Sequence, residues 1–224
     1  MTVTSAVILS LLVSTFATAG NLALSLPLAW LLRRTKARWS SVLNAVLLLP
    51  LALPPTAVGF VLLALFGDRG PLGRERLGID LGLLFTLRGA VLAAAVVSFP
   101  LVFRTVRLTL QNLDPRWFPM ARALGFRPFG AFLRVLLPLT IPGLASGALL
   151  GFVRCMGEFG ATILVAGNIP GETQTLPLAL YTAASAGEFH EAWSLLVVSV
   201  VVGVIAVFIS ERATLRARPT QMQR

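Results

Sequence analysis

Apolar residues in this chain run in long blocks, with the polar residues gathered into short segments between them. Five blocks, at approximately 6–32, 42–66, 89–111, 138–165 and 192–210, are long enough to cross a hydrocarbon core, which takes roughly 20 helical residues. The pattern predicts an all-α integral membrane protein with about five transmembrane helices. A sixth apolar stretch, 175–187, has about 13 residues, contains Pro177 and lies between Glu172 and Glu188. That length suits a re-entrant or interfacial helix better than a span. The first block does not read as a cleavable signal peptide: no basic residue precedes it, it is too long, and its first charge is Arg33 at the far end.

Composition agrees with the pattern. Of the 224 residues 56% are hydrophobic and 12% charged, where a soluble domain carries roughly a quarter charged. Mean hydropathy is +0.85. Too little polar sequence remains to build a solvated skin. The net charge of +10 does not point to nucleic acid, because aromatic residues are not interleaved with the basic ones as a stacking surface needs. The basic residues cluster instead at the ends of apolar blocks, where they report topology.

Arg33, Arg34, Lys36 and Arg38 follow the first block. Arg104, Arg107, Arg116, Arg122, Arg127 and Arg134 surround the third connection, and Arg212, Arg216, Arg218 and Arg224 occupy the tail. With five spans these 14 of the 19 basic residues share one side. The positive-inside rule makes that side cytoplasmic, with the N-terminus outside, the C-terminus inside and a basic cytoplasmic tail at 213–224. The opposite side holds Arg69, Arg74, Arg76 and Arg88, and 166–192 has no Lys or Arg at all.

The segment 113–138 is the longest polar interruption. Asp114 followed by Pro115 is a plausible N-cap with proline in first helical position. A short helix then runs to Leu124, and Gly125 stands where a left-handed residue ends it. Beyond the turn, Phe126, Phe129, Phe132, Leu133, Leu136 and Leu137 recur at helical spacing. Composition alone leaves a helix–turn–helix and a loop with an interfacial amphipathic helix equally open.

Met120-Ala-Arg-Ala-Leu-Gly125, followed a dozen residues later by Leu137-Pro138, resembles the EAA loop of type I ABC permeases, with Met120 where that pattern has Glu. The resemblance continues through Leu49-Pro-Leu-Ala-Leu-Pro-Pro-Thr-Ala-Val-Gly59, Gly70-Pro-Leu-Gly73, Arg88-Gly-Ala-Val-Leu-Ala-Ala-Ala95 and Ser98-Phe-Pro100. Met156-Gly-Glu-Phe-Gly-Ala-Thr162 and Asn168-Ile-Pro-Gly-Glu-Thr173 narrow it to the molybdate and sulfate branch. Roughly residues 7–212 are covered, so 1–212 is expected to be one transmembrane domain.

The resemblance implies a type I ABC importer permease fold with cytoplasmic coupling helices, in which Met120, Ala121, Ala123, Leu124 and Gly125 dock on a cytoplasmic ATPase. It also implies a permease homodimer on two ATPase copies, receiving molybdate from a periplasmic or extracellular oxyanion-binding protein. Sulfate, thiosulfate and tungstate are the alternative cargoes. The expected place is the cytoplasmic (inner) membrane of a bacterium, with lipid as surroundings.

The chain lacks Gly-x-x-x-x-Gly-Lys-[Ser/Thr], so ATP chemistry is expected on a separate subunit. One Cys (Cys155) and one His (His190) give no disulfide and no histidine-based metal site. No cofactor is expected on this chain. A membrane-embedded enzyme would need a nucleophile–base pair or metal ligands, for which one His and one Cys leave only Ser and carboxylate chemistry, and a stand-alone channel is a further alternative.

Three sets of residues are candidates for the moving or conducting parts. Arg154 and Glu158 lie deep in the fourth block, one helical turn apart, so they share a face and can pair. Read functionally they form a hinge or gate. Read structurally they neutralise each other at a helix broken by Gly157 and Gly160. Pro50, Pro54 and Pro55 distort the second block, and breaks of this kind often line a pathway. Ser14, Thr18, Asn21 and Ser25 form one stripe on the first helix, facing either a translocation path or a neighbouring helix. Gly143, Gly147 and Gly151 recur every four residues and favour close helix packing, within a chain or between chains, over contact with substrate.

Overall fold

The computed structural model describes residues 3–32 and 37–217, omitting the side chains of 37–40, 77, 210, 211 and 213–217. Arg33, Arg34, Lys36, Arg218 and Arg224 of the topology count lie outside the described residues. The described chain is helical throughout its ordered elements, with four helices long and apolar enough to cross a membrane, or five if one bent pair is a single span.

The first helix, α1 (Val3–Leu32), turns small and hydroxyl-bearing residues inward: Ala6, Ser10, Val13, Ser14, Ala17, Thr18, Asn21, Ser25 and Ala29 are all buried. Long side chains such as Ile8, Phe16 and Leu24 face outward. This inverts the pattern of a soluble helix, because the outer solvent is lipid and the contacts between helices are made by small residues. Central to the bundle is α5 (Leu87–Gln111), started by Thr86, whose hydroxyl oxygen accepts from the Gly89 N–H at 3.3 Å. Its Ala90, Ala93 and Ala94 are buried. It packs against α1 and against α8 (Leu137–Met156).

The stripe Gly143, Gly147 and Gly151 faces α5 within the same chain. A Cβ at Gly143 would overlap the Thr109 side chain, and one at Gly151 would sit 2.5 Å from a Val102 methyl. At Gly147 the nearest atom is a comfortable 3.5 Å away on Thr105.

Two of the sequence-derived spans are not single helices. The block at 42–66 divides into α2 (Ala37–Ala52) and α3 (Pro55–Phe66), bent by 111°. Pro54 holds an extended ψ of 139°, and Pro55 opens α3 with a ring that cannot continue the preceding ladder. The block at 138–165 starts earlier and stops earlier. Helix runs without interruption from Pro128 to Met156 through α7 (Pro128–Ala131), a π turn (Phe132–Leu136) and α8. It then breaks, and a six-residue helix α9 (Gly160–Val165) follows.

The remaining elements are short except for the last. The connection between α3 and α5 holds α4 (Arg74–Leu77), and α6 (Trp117–Ala123) lies between α5 and α7. The stretch at 175–187 holds the ten-residue α10 (Leu176–Ser185), with Leu176, Leu178, Ala179 and Ala183 buried against the bundle. The last helix, α11 (Phe189–Ala217), extends beyond 192–210 at both ends, so the first part of the expected tail is helical. Its Val197, Val201, Val204 and Phe208 are exposed, as suits a helix on the lipid-facing rim.

The half-helices α3 and α9 cross at very short range. A Cβ on Gly59 would lie 2.7 Å from the Ala161 Cα and 3.0 Å from its carbonyl oxygen. Backbone cannot step aside as a side-chain tip can. Gly59→Ala is therefore expected to destabilise the detergent-solubilised protein by about 1–3 kcal/mol, the usual range for overpacking. Gly147→Ala should be neutral or stabilising by up to about 1 kcal/mol, through helix propensity. Thermal unfolding of the two variants checks this, and equal melting would refute the close crossing.

Candidate functional site: a polar belt at the helix breaks

Both breaks fall at one level. Gly160, which opens α9, is close enough to α3 that a Cβ there would touch Pro55 and Thr56 at 3.1–3.2 Å. Pro54, Pro55 and the Gly157–Phe159 turn are thus neighbours. Glu158 sits at this junction with 3% of its surface exposed. One carboxylate oxygen accepts from the Ala161 N–H at 2.9 Å, satisfying a donor that the start of α9 would otherwise leave orphaned. The other lies 2.9 Å from the Arg154 guanidinium. A negative group at a helix start also meets the favourable end of its dipole. Glu158 therefore does two jobs. It caps the half-helix α9 and ties it back to the last turn of α8.

The same level carries a hydrogen-bonded staple between three helices. The Asn21 amide donates to the Ala95 carbonyl at 3.0 Å and to the Ser98 hydroxyl at 2.8 Å. Ser98 donates to the Ala94 carbonyl at 2.7 Å, and the Cys155 thiol donates to Ser98 at 3.0 Å. Residues 21, 98 and 155 join α1, α5 and α8 near the middle of the first two. The stripe on α1 accordingly faces protein: Ser14, Thr18, Asn21 and Ser25 are all buried. Among the described residues the Ser14 and Ser25 hydroxyls have no hydrogen-bond partner. Ser10, one turn earlier, extends the stripe and accepts from the Leu176 N–H at 2.7 Å, anchoring the start of α10. The four-residue spacing was the signal for Ser10. Ser98 and Gly59 stood in stretches that carry the family resemblance, Ser98-Phe-Pro100 and Leu49–Gly59, but nothing in those stretches assigned either a contact.

At the other end of the bundle the segment Met120–Gly125 is divided by burial. Ala121 is buried, while Met120, Ala123, Leu124 and Gly125 are exposed, Leu124 to 79%. Gly125 has φ +86°, the left-handed conformation that ends α6. Helix α6 begins later than Asp114-Pro115 predicts. The Asp114 carboxylate accepts from the Arg116 N–H at 2.9 Å in a local turn, and the first helical residue is Trp117. The Arg116 side chain and backbone N–H, both bonded to that carboxylate, lower its pKa to about 2. The segment is held to the bundle by rings: Trp30 packs on Phe118 at 5.6 Å and on Phe132 at 4.6 Å.

On the opposite end, Asn168 donates to Thr182 at 2.8 Å and accepts from Gln174 at 2.8 Å. This network fixes the turn between α9 and α10 beside a cavity of about 200 Å³, lined by Gln174, Thr182, Glu188 and Glu191 among others. No group of three or more His, Cys, Asp or Glu able to hold a metal comes together among the described residues.

Residues 21–216 match the family described as binding-protein-dependent transport system inner membrane component. The chain is 46% identical over 209 residues to the molybdenum transport system permease protein ModB of Escherichia coli K12, covering 92% of this chain and 91% of that one. It is 32% identical over 210 residues to a probable sulfate transport system permease protein of Nephroselmis olivacea, covering 94% and 69%. In fold it is similar to the MetNI methionine ABC transporter in inward-facing form, with a TM-score of 0.72, 19% identity and coverage of 96% and 95%. It is similar also to a bacterial alginate ABC transporter in complex with its periplasmic protein, with a TM-score of 0.75, 14% identity and coverage of 95% and 78%.

The two roles of Glu158 separate by substitution. Glu158→Ala removes both and is expected to lower stability in detergent by about 1–3 kcal/mol, the range for stranding buried polar groups. Glu158→Gln keeps an oxygen for the Ala161 N–H and should lose less. Equal losses in the two variants, measured by thermal unfolding, would show that the cap contributes nothing.

Proposed function

The chain belongs to the family of binding-protein-dependent transport system inner membrane components, and we propose that it is the permease subunit of an ATP-driven importer carrying molybdate by alternating access. The observation that supports this most directly is the pairing of two features at opposite ends of one continuous helix. At one end is an exposed apolar turn, Met120 to Gly125; at the other is a charged helix break at mid-depth. A turn of this kind suits docking on a separate ATPase, since the chain has no P-loop of its own. The break suits a gate, because irregular backbone in a membrane survives only where protein or an aqueous path satisfies it.

The finer parts of the reading follow. Two copies of the chain form the pathway on a two-fold axis, seated on two ATPase subunits. An external oxyanion-binding protein delivers the cargo and performs most of the selection. The N-terminus lies outside and the basic tail inside, in a bacterial cytoplasmic membrane, and the chain uses no cofactor of its own. Molybdate is preferred over sulfate because identity to the molybdenum permease is 46%, against 32% to the sulfate one.

Vesicles holding the chain with its cognate ATPase and binding protein should take up labelled molybdate on ATP addition. Tungstate should compete better than sulfate. Preferential competition by sulfate would move the cargo to the sulfate branch, and ion flux without any ATPase would replace the importer by a channel. Gly125→Val should abolish both uptake and co-purification with the ATPase while leaving membrane insertion intact. A β-branched residue at φ +86° is strained by roughly 1–3 kcal/mol, enough to reshape the turn. Wild-type uptake in this variant would remove α6 from the coupling role.

A further inference from the structure

The ion pair at the break is unequal, and the inequality has a direction. The Glu158 side chain is 2% exposed and the Arg154 side chain 33% exposed, although they are only one turn apart. The carboxylate is turned into the protein and the guanidinium toward the surface of the chain. Leu150, one turn before Arg154 on the same helix face, is exposed as well. Of the other described arginines in the long helices, Arg88 opens α5, Arg104 and Arg107 belong to its last two turns, Arg134 lies near the Pro128 end of its helix and Arg212 toward the end of α11. Among the described residues Arg154, next to the Cys155 whose thiol bonds Ser98 near the middle of α5, is the arginine at that middle level, beside both helix breaks.

A guanidinium at that depth is costly against lipid and is held where it meets a partner, a second protein surface or an aqueous path. Among the described residues its partner is Glu158, reached by one of its two terminal nitrogens. Further N–H donors of the planar fork remain for another acceptor. A tetrahedral oxyanion offers such an acceptor, and the fork matches two of its oxygens at once.

We propose that Arg154 is the group that meets the transported oxyanion at mid-depth, exchanging Glu158 for the anion as it passes. The proposal rests on the importer reading above and adds the site of passage to it. Two features make the exchange reversible. Glu158 keeps its bond to the Ala161 N–H and its place at the start of α9 when the arginine swings away. It remains within one turn to reclaim the guanidinium afterwards. A permanently free arginine would hold a dianion too well, whereas conduction needs a site weak enough to leave. Glu158 is in this sense a positioning residue that tunes the arginine, and not a repellent left in the path.

The test is made in the complete transporter, reconstituted with its ATPase and binding protein, reading uptake of labelled molybdate. Arg154→Gln alone strands the buried carboxylate, so Arg154→Gln with Glu158→Gln is the informative variant, since it restores a neutral, hydrogen-bonding pair. If Arg154 only neutralises Glu158, the double variant recovers uptake relative to the single one. If Arg154 serves the anion, the double variant assembles with the ATPase yet transports about tenfold less or worse, as the single variant does. Recovery to near wild-type uptake would overturn the proposal. A second measurement does not depend on transport: a thiol placed by Arg154→Cys, with Cys155→Ala and Glu158→Gln, should react with a water-soluble thiol reagent in the assembled transporter. A thiol unreactive both without nucleotide and with trapped nucleotide would place the position outside the path and overturn the proposal. Absence of molybdate uptake in the wild-type control would instead count against the importer reading itself.

Discussion

A helix that stops inside a bilayer leaves N–H and C=O groups that lipid cannot satisfy, each worth several kcal/mol if left bare. The architecture of this chain follows from how that constraint is met at one level. The start of α3 is made of Pro54 and Pro55, which have no N–H to strand. The start of α9 is covered by the Glu158 carboxylate. The end of α9 is answered by the Phe85 N–H, which reaches the Val165 carbonyl at 2.9 Å from the loop ahead of α5. A carboxylate buried for this purpose needs a counter-charge, and Arg154 supplies it. The pair is thus first of all a consequence of the break: its buried half caps α9 and its half-buried guanidinium neutralises that carboxylate.

Around this level the packing is built from small residues. Alanines on α1 and α5 and glycines on α8 bring three backbones close, and the gap is spanned by Asn21, Ser98 and Cys155 in one hydrogen-bonded chain. Interhelical hydrogen bonds in membranes are individually modest, averaging about 0.6 kcal/mol. Their value here is register. Together with the alanine and glycine contacts they fix α1, α5 and α8 against one another, while α3 and α9 form a second closely packed unit across the breaks. The long apolar side chains, which would be the core of a soluble protein, are left to face lipid on α1 and α11.

Run length and the positions of Lys and Arg were enough to read an α-helical membrane protein with about five spans, because lipid imposes length so strictly. Pro54 and Pro55 announced a distortion, but not a 111° turn, nor that α3 would pack through Gly59 on Ala161, far apart in sequence. Arg154 and Glu158 could be paired from their spacing; that Glu158 caps α9 could not, because it depends on α8 ending at Met156. The α1 stripe was visible from its period, yet its direction required Ser98 on another helix. The apolar run suggested a start near 138, whereas the helix begins at Pro128. The wider π turn at Phe132–Leu136 gives the Pro138 ring room within a continuous helix. The start of α6 was misread because Asp114 spends its carboxylate on Arg116 in a turn rather than on a helix N-terminus.

That continuous helix has a mechanical meaning. From Pro128 to Met156 it is an unbroken rod of about 40 Å at 1.5 Å per residue, with Arg154 near its tip and the exposed turn Met120–Gly125 beside its foot. A π turn, the place where such a rod yields most readily, lies within its first turns. Rocking the rod by about 5° about its foot sweeps the tip through roughly 3–4 Å, more than the length of a hydrogen bond. A displacement too small to alter the fold near the foot is therefore large enough, at the far end of the arm, to part Arg154 from Glu158 or bring them together.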